Sequence, residues 1–152
     1  MNLITAILIA GFSFALTWVA QSSGTSASLR GVHAASATVV WASGTNGTYL
    51  RTTDGGATWH AATVPGAEAL DFRAVHAVDD KTAYLLSIGE GTNSRIYKTS
   101  DGGVHWNLQI TNPDPKGFFD ALAFWDSRHG IVLGDPVNGE FAVFITADGG
   151  ET

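Results

Sequence analysis

The stretch TTDGGATW (residues 52–59) decides the fold, because it returns twice at an equal interval along the chain. The second copy is TSDGGVHW (99–106), and the third is TADGGET (146–152). Their aspartates, Asp54, Asp101 and Asp148, are separated by 47 residues in both intervals. An equal spacing of matched segments indicates structural repeats, each of which forms one supersecondary unit.

Each repeat predicts four short antiparallel strands. In the second repeat these are RAVHAVDD, TAYLLSIG, SRIYKTS and VHWNLQIT, and turn-forming residues separate them at hairpin spacing. A period of about 40–50 residues with four strands is typical of a β-propeller blade. We therefore expect an all-β fold in residues 23–152: a β-propeller fragment with two four-stranded blades and most of a third, in repeats of about 29–71, 72–118 and 119–152.

The repeated stretches resemble the Asp box, or bacterial neuraminidase repeat, whose pattern is S/T-x-D-x-G-x-T-W. The second copy has His105 where the pattern has Thr, and the third stops one residue before the Trp. Together with DFRAVHA, NPDPKGFFDALAFWD and HGIVLGDPVNGEF, they give the chain a resemblance to the photosystem II stability/assembly factor-like family of bacterial exported propellers. This resemblance implies a non-enzymatic propeller that binds a protein or peptide partner.

The residues of the boxes are expected to be structural. The Asp carboxylate can accept backbone N–H groups of its own turn, the glycines supply positive φ, and the tryptophans act as apolar plugs. The residues concerned are Asp54, Gly56, Trp59, Asp101, Gly103, Trp106, Asp148 and Gly150. By contrast, Asp79 and Asp80 are expected to be exposed turn residues that contribute little to stability.

The N-terminus predicts export. Residues 3–20 carry no charge, so residues 1–22 are interpreted as a signal peptide or a membrane anchor that contains a hydrophobic helix. We therefore expect a periplasmic, extracellular or membrane-anchored protein, whose only contact with the membrane is this segment. Because the third repeat lacks its fourth strand and propellers have about 4–8 blades, we also expect a C-terminally truncated sequence.

Composition excludes several classes of function. The 152 residues include no cysteine, which rules out disulfides and thiol chemistry. The net charge of −6 and the absence of a basic cluster argue against a nucleic-acid partner. The segment GEGTNS (89–94) looks like part of a dinucleotide-binding loop, but its place between two predicted strands favours a hairpin loop. No cofactor and no metal is expected.

Two columns of residues in the first strands of the repeats are candidates for binding. Arg30, Arg73 and Asp120 align near the start of these strands, where the arginines could bind a carboxylate or a peptide terminus. The alternative is an ion pair between blades, such as Arg73 with Asp120. His33 and His76 form the second column, but the third repeat has Ala123 there, which favours histidines satisfied by the backbone over a metal site.

A carbohydrate-active hydrolase is the alternative function. The resemblance to the Asp box includes sialidases and xyloglucanases, and glycosidases use paired carboxylates beside aromatic residues. The weak catalytic candidates are Asp120, Asp126 and Asp135, near Phe118, Phe119 and Trp125. Against a sialidase, the chain has no Arg-Ile-Pro motif, and Asp126 is also compatible with a plain turn.

Overall fold

The computed structural model describes residues 18–151, so most of the predicted signal or anchor segment lies outside the described residues, including the larger part of its hydrophobic helix. The described chain forms three antiparallel sheets with their strands in sequence order. Blade 1 consists of β1 Leu29–Ala34, β2 Val40–Gly44, β3 Thr48–Thr52 and β4 His60–Thr63. Blade 2 consists of β5 Asp71–Ala77, β6 Ala83–Ile88, β7 Arg95–Thr99 and β8 Asn107–Thr111. Blade 3 consists of β9 Phe119–Phe124, β10 Gly130–Val137 and β11 Glu140–Thr146.

These sheets confirm the predicted all-β fold, with two four-stranded sheets and three strands of a third, as in a fragment of a propeller. Turn chemistry follows the sequence: Asn138 and Gly139 join β10 to β11 with φ values of 56° and 89°, the positive angles that a type I′ hairpin requires. The segment that looks like a dinucleotide-binding loop is the connection from β6 to β7, and it contains one 3-10 turn, Gly91–Asn93.

The blades pack face to face, and their first strands lie side by side at one edge. β1 contacts β5, and β5 contacts β9. One core cluster between blades 1 and 2 contains the fully buried Trp41, Phe72 and Leu85. A second cluster between blades 2 and 3 contains Tyr84 and Phe119. Since both clusters lie between two sheets, each blade depends on its neighbour for much of its burial.

The fourth strand of the second repeat is shorter than predicted. The sequence pattern predicts that this strand begins at Val104, whereas β8 begins at Asn107. The physical reason is that residues 101–106 are held in the turn by hydrogen bonds to Thr99 and Asp101, so they do not join the ladder.

Candidate functional site

A β-bulge occurs at the same place in the first strand of every blade. The pairing of β1 with β2 skips Arg30, and the pairing of β5 with β6 skips Arg73. In blade 3 the pairing of β9 with β10 skips Asp120. A bulge leaves its extra residue out of the ladder and re-aims the side chain. The three residues of the predicted column are therefore the three bulge residues, which we call the bulge row.

Each arginine of the bulge row has a carboxylate partner, but the pairs are loose. Arg30 Nη2 lies 3.6 Å from Asp71 Oδ2, and Arg73 Nη1 lies 3.9 Å from Asp120 Oδ1. The arginine side chains remain 42% and 50% exposed. The ion pair between Arg73 and Asp120, the alternative reading of this column, is thus present. Exposed pairs at such distances contribute little to stability, so the guanidinium groups keep donors for a ligand.

Asp120 and Asp135 form a carboxyl pair beside the bulge row. Asp135 is itself skipped in the pairing of β10 with β11. Partial burial raises the pKa of Asp120, as do the charge of Asp135 and a hydrogen bond to it, while the charge of Arg73 opposes this shift. One carboxyl of this pair therefore holds a proton to a higher pH than an ordinary aspartate does.

Asp126 does not join this pair. It lies in the turn between β9 and β10, where its Oδ1 accepts the backbone N–H of Arg128 at 2.7 Å and of His129 at 2.8 Å. These two bonds, with the His129 ring, lower the pKa of Asp126 to about 2. Of the neighbouring aromatic residues, Phe119 is fully buried and Trp125 is exposed. The predicted cluster of three carboxylates is therefore one pair and one separate turn residue.

A hollow of about 300 Å³ opens next to the same edge of the blades. It is lined by Leu70, Asp71, Ile88, Asn93 and Phe118, among others. Asp71 is also the partner of Arg30, so the hollow and the bulge row share a residue. The arrangement offers a depression with both polar and apolar walls next to groups of both charges, which suits an extended segment with a charged end.

The histidine column links blades through backbone atoms. His33 Nδ1 accepts the N–H of Ala77 in β5 at 3.2 Å, and His76 Nδ1 accepts the N–H of Phe124 in β9 at 3.5 Å. The two rings lie 4.1 Å apart. Burial lowers the pKa of His33, and burial together with the neighbouring His33 lowers the pKa of His76 to about 4. Both imidazoles are therefore neutral acceptors at physiological pH.

The boxes form three turns of nearly the same geometry. The Oδ1 atom of Asp54 accepts the backbone N–H of Thr58 at 2.9 Å, and that of Asp101 accepts the N–H of His105 at 2.9 Å. Side-chain and backbone hydrogen bonds from Thr58 lower the pKa of Asp54 to about 2. The bonds from His105 have the same effect on the pKa of Asp101. Asp148 accepts the N–H of Gly150 and of Glu151, each at 3.1 Å.

A threonine that the sequence analysis did not single out completes each turn. The hydroxyls of Thr52, Thr99 and Thr146 accept the N–H of the second glycine of the box at 3.0, 2.9 and 2.8 Å. Each hydroxyl also donates to the box aspartate. The sequence could have indicated this structural role, because threonine occupies the same position in all three copies of the box. Only one hydroxyl proton exists, so the aspartate must accept while the glycine N–H donates.

Asp79 is exposed and lies in a turn, as expected, but its carboxylate also makes local hydrogen bonds. Its Oδ1 accepts the N–H of Lys81 at 2.8 Å and of Thr82 at 2.6 Å, as in an Asx turn. It is therefore a second kind of structural aspartate, and Asp80 alone keeps the expected role.

Neither a metal centre nor a membrane-spanning helix is found in the part of the chain that the structure describes. No group of three or more His, Asp or Glu residues within 18–151 is arranged to hold an ion. Over the same residues, no helix has the length and apolar character needed to cross a bilayer.

Comparison with known proteins shows the fold. No family model matches the chain, and no curated protein matches it significantly. Among solved structures, YCF48 bound to D1 peptide is similar with a TM-score of 0.67 at 21% identity, over 84% of this chain and 40% of that one. YCF48 from Cyanidioschyzon merolae is similar with a TM-score of 0.65 at 21% identity, over 84% of this chain and 39% of that one. The chain thus has the fold of a part of YCF48 and spans about 40% of its length.

Proposed function

We propose that this chain is part of a non-enzymatic, assembly-factor-like β-propeller that binds an extended segment of a partner protein. The observation that carries the proposal is the bulge row, which presents two half-exposed guanidinium groups from neighbouring blades beside a hollow with both polar and apolar walls. The fold likeness to YCF48, one structure of which holds a D1 peptide, supports a peptide as the class of ligand. We also propose that the three turns at Asp54, Asp101 and Asp148 are Asp boxes, as the sequence pattern predicts.

The chemistry of the bulge row favours a segment with a carboxylate. Arg30 and Arg73 can each make bidentate bonds to a carboxylate, which are shorter and stronger than their present contacts of 3.6 and 3.9 Å. A peptide C-terminus would displace Asp71 or Asp120 from its arginine without leaving a buried charge, since both carboxylates are more than a third exposed. The apolar part of the segment would then occupy the adjacent hollow.

The test compares two pools of degenerate decapeptides, one with a free C-terminal carboxylate and one amidated. We expect the full chain to retain the free-carboxylate pool, and Arg30→Gln with Arg73→Gln to weaken this by about tenfold or more. Arg128→Gln is the matched control, because Arg128 is exposed in the turn between β9 and β10. The proposal would be contradicted if the chain retained the free-carboxylate and amidated pools equally. It would also be contradicted if Arg128→Gln lost as much binding as the variant that lacks Arg30 and Arg73.

A glycoside hydrolase is the second candidate, and the raised pKa of Asp120 is the observation that favours it. General acids of glycosidases have raised pKa values. The geometry opposes it, because Asp120 interacts directly with Asp135, whereas catalytic carboxyls stand about 5–9.5 Å apart to admit the sugar. Hydrolysis of chromogenic glycosides that is lost in Asp120→Asn would establish the enzyme.

Export is proposed on the sequence of residues 1–22, which carries no charged side chain. The described residues add a constraint on processing: Gln21 accepts a hydrogen bond from Trp59 Nε1 at 2.9 Å, so cleavage at the end of the predicted segment, after Ser22, would remove a group that contacts blade 1. Fractionation of cells that produce the chain, with N-terminal sequencing of the exported form, tests both points. Recovery in the cytoplasm with an intact N-terminus would contradict export.

A further inference from the structure

The connection from β6 to β7 in blade 2 is longer than the equivalent connection in blade 1. In blade 1, the five residues 44–48 separate Ser43 of β2 from its partner Tyr49 of β3. In blade 2, the nine residues 87–95 separate Leu86 of β6 from its partner Ile96 of β7. The longer connection contains the segment GEGTNS (89–94), which we call the GEGTNS loop.

Hydrogen bonds hold the GEGTNS loop against the segment that leads into blade 3. The N–H of Gly91 donates to the carbonyl of Gly117 at 2.8 Å. The Ser94 hydroxyl donates to the carbonyl of Gly89 at 2.5 Å and accepts the N–H of Phe119 in β9 at 2.9 Å. Because Ser94 is fully buried and these bonds fix the backbone on both sides of it, the loop has a set shape before any ligand binds.

The GEGTNS loop forms one wall of the hollow of about 300 Å³. Gly89 and Asn93 of the loop line this hollow, together with Ile88 at the end of β6. Leu70 and Phe118, from the two linkers that flank blade 2, supply further apolar surface. The hollow therefore lies between blades that are all described, at the end where the inner strands begin.

The walls of the hollow include or adjoin both ion pairs of the bulge row. Asp71 lines the hollow and is the partner of Arg30. Phe118 lies two residues before Asp120, which is the partner of Arg73. A segment with its terminal carboxylate on this row would therefore place one of its last residues at the hollow.

The side chain of Asn93 is available to such a segment. Within residues 18–151, both hydrogen bonds of Asn93 use its backbone: its N–H donates to Glu90 at 3.2 Å, and its carbonyl accepts the Ser87 hydroxyl at 2.6 Å. The side chain is exposed at the rim of the hollow. Its amide carries one acceptor and one donor group, the two groups that pair with a peptide unit of an extended chain.

We propose that the GEGTNS loop selects the bound segment by one aliphatic side chain close to its carboxyl terminus, a leucine or a residue of similar size. This side chain fills the hollow against Leu70, Ile88 and Phe118, while the Asn93 amide pairs with the adjacent peptide unit. A cavity of about 150 Å³ holds benzene in another protein, so a hollow of about 300 Å³ has room for a leucine side chain. The inference rests on the function proposed above and names the residue class that the partner carries.

The geometry of an extended segment makes the expectation more specific. Successive side chains of such a segment point to opposite sides. When one side chain enters the hollow, its two direct neighbours point away from it. The preference for leucine should therefore occur at one position and be absent at the positions beside it.

The experiment uses decapeptide pools with a free C-terminal carboxylate. One of the last four positions is fixed as leucine or as glycine, and all other positions are degenerate. We expect the full chain to retain the leucine pool about five- to tenfold more strongly than the glycine pool at one of these positions. The same pools with an amidated C-terminus report separately on the bulge row.

Asn93→Trp should fill the hollow, so that the preference for leucine disappears. The retention that remains should still require the free carboxylate, because Arg30 and Arg73 are unaltered. Thr92→Trp is the matched control and should keep the preference, because Thr92 is exposed in the same loop but does not line the hollow.

Asn93→Ala separates the amide from the hollow. It should weaken retention of the leucine and glycine pools alike by about three- to tenfold, because the peptide unit loses its hydrogen bonds while the hollow stays open. The preference for leucine should persist in this variant.

Four results would overturn the inference: no preference for leucine at any of the four positions, a preference that survives in Asn93→Trp, its loss in Thr92→Trp as well, or undiminished retention by Asn93→Ala. The function proposed above would stand in each case if free-carboxylate pools were still retained over amidated ones. If no free-carboxylate pool were retained over its amidated counterpart, that function would fail and this inference with it.

Discussion

Two interfaces join the blades, one between blades 1 and 2 and one between blades 2 and 3. They have similar hydrogen bonds but differ in their apolar packing. In both, a tyrosine hydroxyl donates to a box carbonyl of the next blade: Tyr49 to Gly103 at 2.7 Å, and Tyr84 to Gly149 at 2.8 Å. In both, a histidine accepts a backbone N–H of the next inner strand. Among residues 18–151, an indole ring lies between the walls of the first interface, where Trp106 packs against Trp41, and none lies between those of the second.

The difference shows that the hydrogen bonds that align two blades are distinct from the apolar packing that stabilises their contact. Directional hydrogen bonds fix the position of one blade on the next, and they are present at both interfaces. Burial of apolar surface supplies most of the free energy, and here the filled interface exceeds the open one by a tryptophan.

The largest expected effect comes from emptying the filled interface. Trp106→Ala should lower the free energy of unfolding by about 3–5 kcal/mol, the usual cost of removing an aromatic ring from a core. Both rings are partly buried, but Trp59→Ala, at the open face of blade 1, should cost only about 1 kcal/mol, because Trp59 lies outside both core clusters. Urea denaturation of both variants measures the difference. Equal costs would mean that the two interfaces do not differ as described.

A smaller effect is expected from the threonines of the boxes. Thr99→Val should cost about 1–3 kcal/mol, because the buried N–H of Gly103 loses its acceptor. Thr146→Val should cost less, because the N–H of Gly150 has Asp148 Oδ1 as a second acceptor at 3.1 Å. Asp101→Ala should shift the denaturation midpoint more than its control Asp80→Ala. Indistinguishable midpoints for that last pair would refute the structural role of the box aspartate.

The smallest effect is a dependence of stability on pH through the histidines. Because the folded pKa of His76 is about 4 and its unfolded value is 6.5, the unfolded chain binds more protons between these values. Its contribution to stability is complete above about pH 6.5 and is lost as the pH falls toward about 4. Protonation also converts the acceptor of the Phe124 N–H into a donor.

The same histidine can be tested by substitution. In the unaltered chain the free energy of unfolding should decrease as the pH falls from about 7 to about 4.5. His76→Gln should make this decrease smaller, and His33→Gln should also reduce it. The box aspartates do not interfere, since the pKa values of Asp54 and Asp101 lie at about 2. An unchanged slope in His76→Gln would show that this imidazole does not link blades 2 and 3.

Some functional details could not be predicted from the sequence, for physical reasons. Asp126 was predicted to form a carboxylate cluster with Asp120, which lies six residues away in the same repeat. In the structure one is a turn residue and the other a bulge residue, so their side chains do not come together. Asp79 was predicted as an exposed turn residue, and it is one, but the local N–H groups that its carboxylate accepts were not predicted. The threonines of the boxes were visible in the alignment, but their role depends on the direction of a hydroxyl proton.

By itself, the sequence determined the repeat, the number and order of the strands, and the turns at Asp54, Asp101 and Asp148. These follow from local preferences, since hairpin spacing, glycine and an aspartate that accepts nearby N–H groups act within a few residues. The repeats also aligned Arg30, Arg73 and Asp120 in one column, but only the tertiary structure decided that they are bulge residues. It alone placed Gln109 against Gly150, with a buried oxygen that has no hydrogen-bond partner among residues 18–151. Bulge registers and contacts between blades depend on how neighbouring sheets pack, and the local patterns that predict strands and turns do not specify that packing.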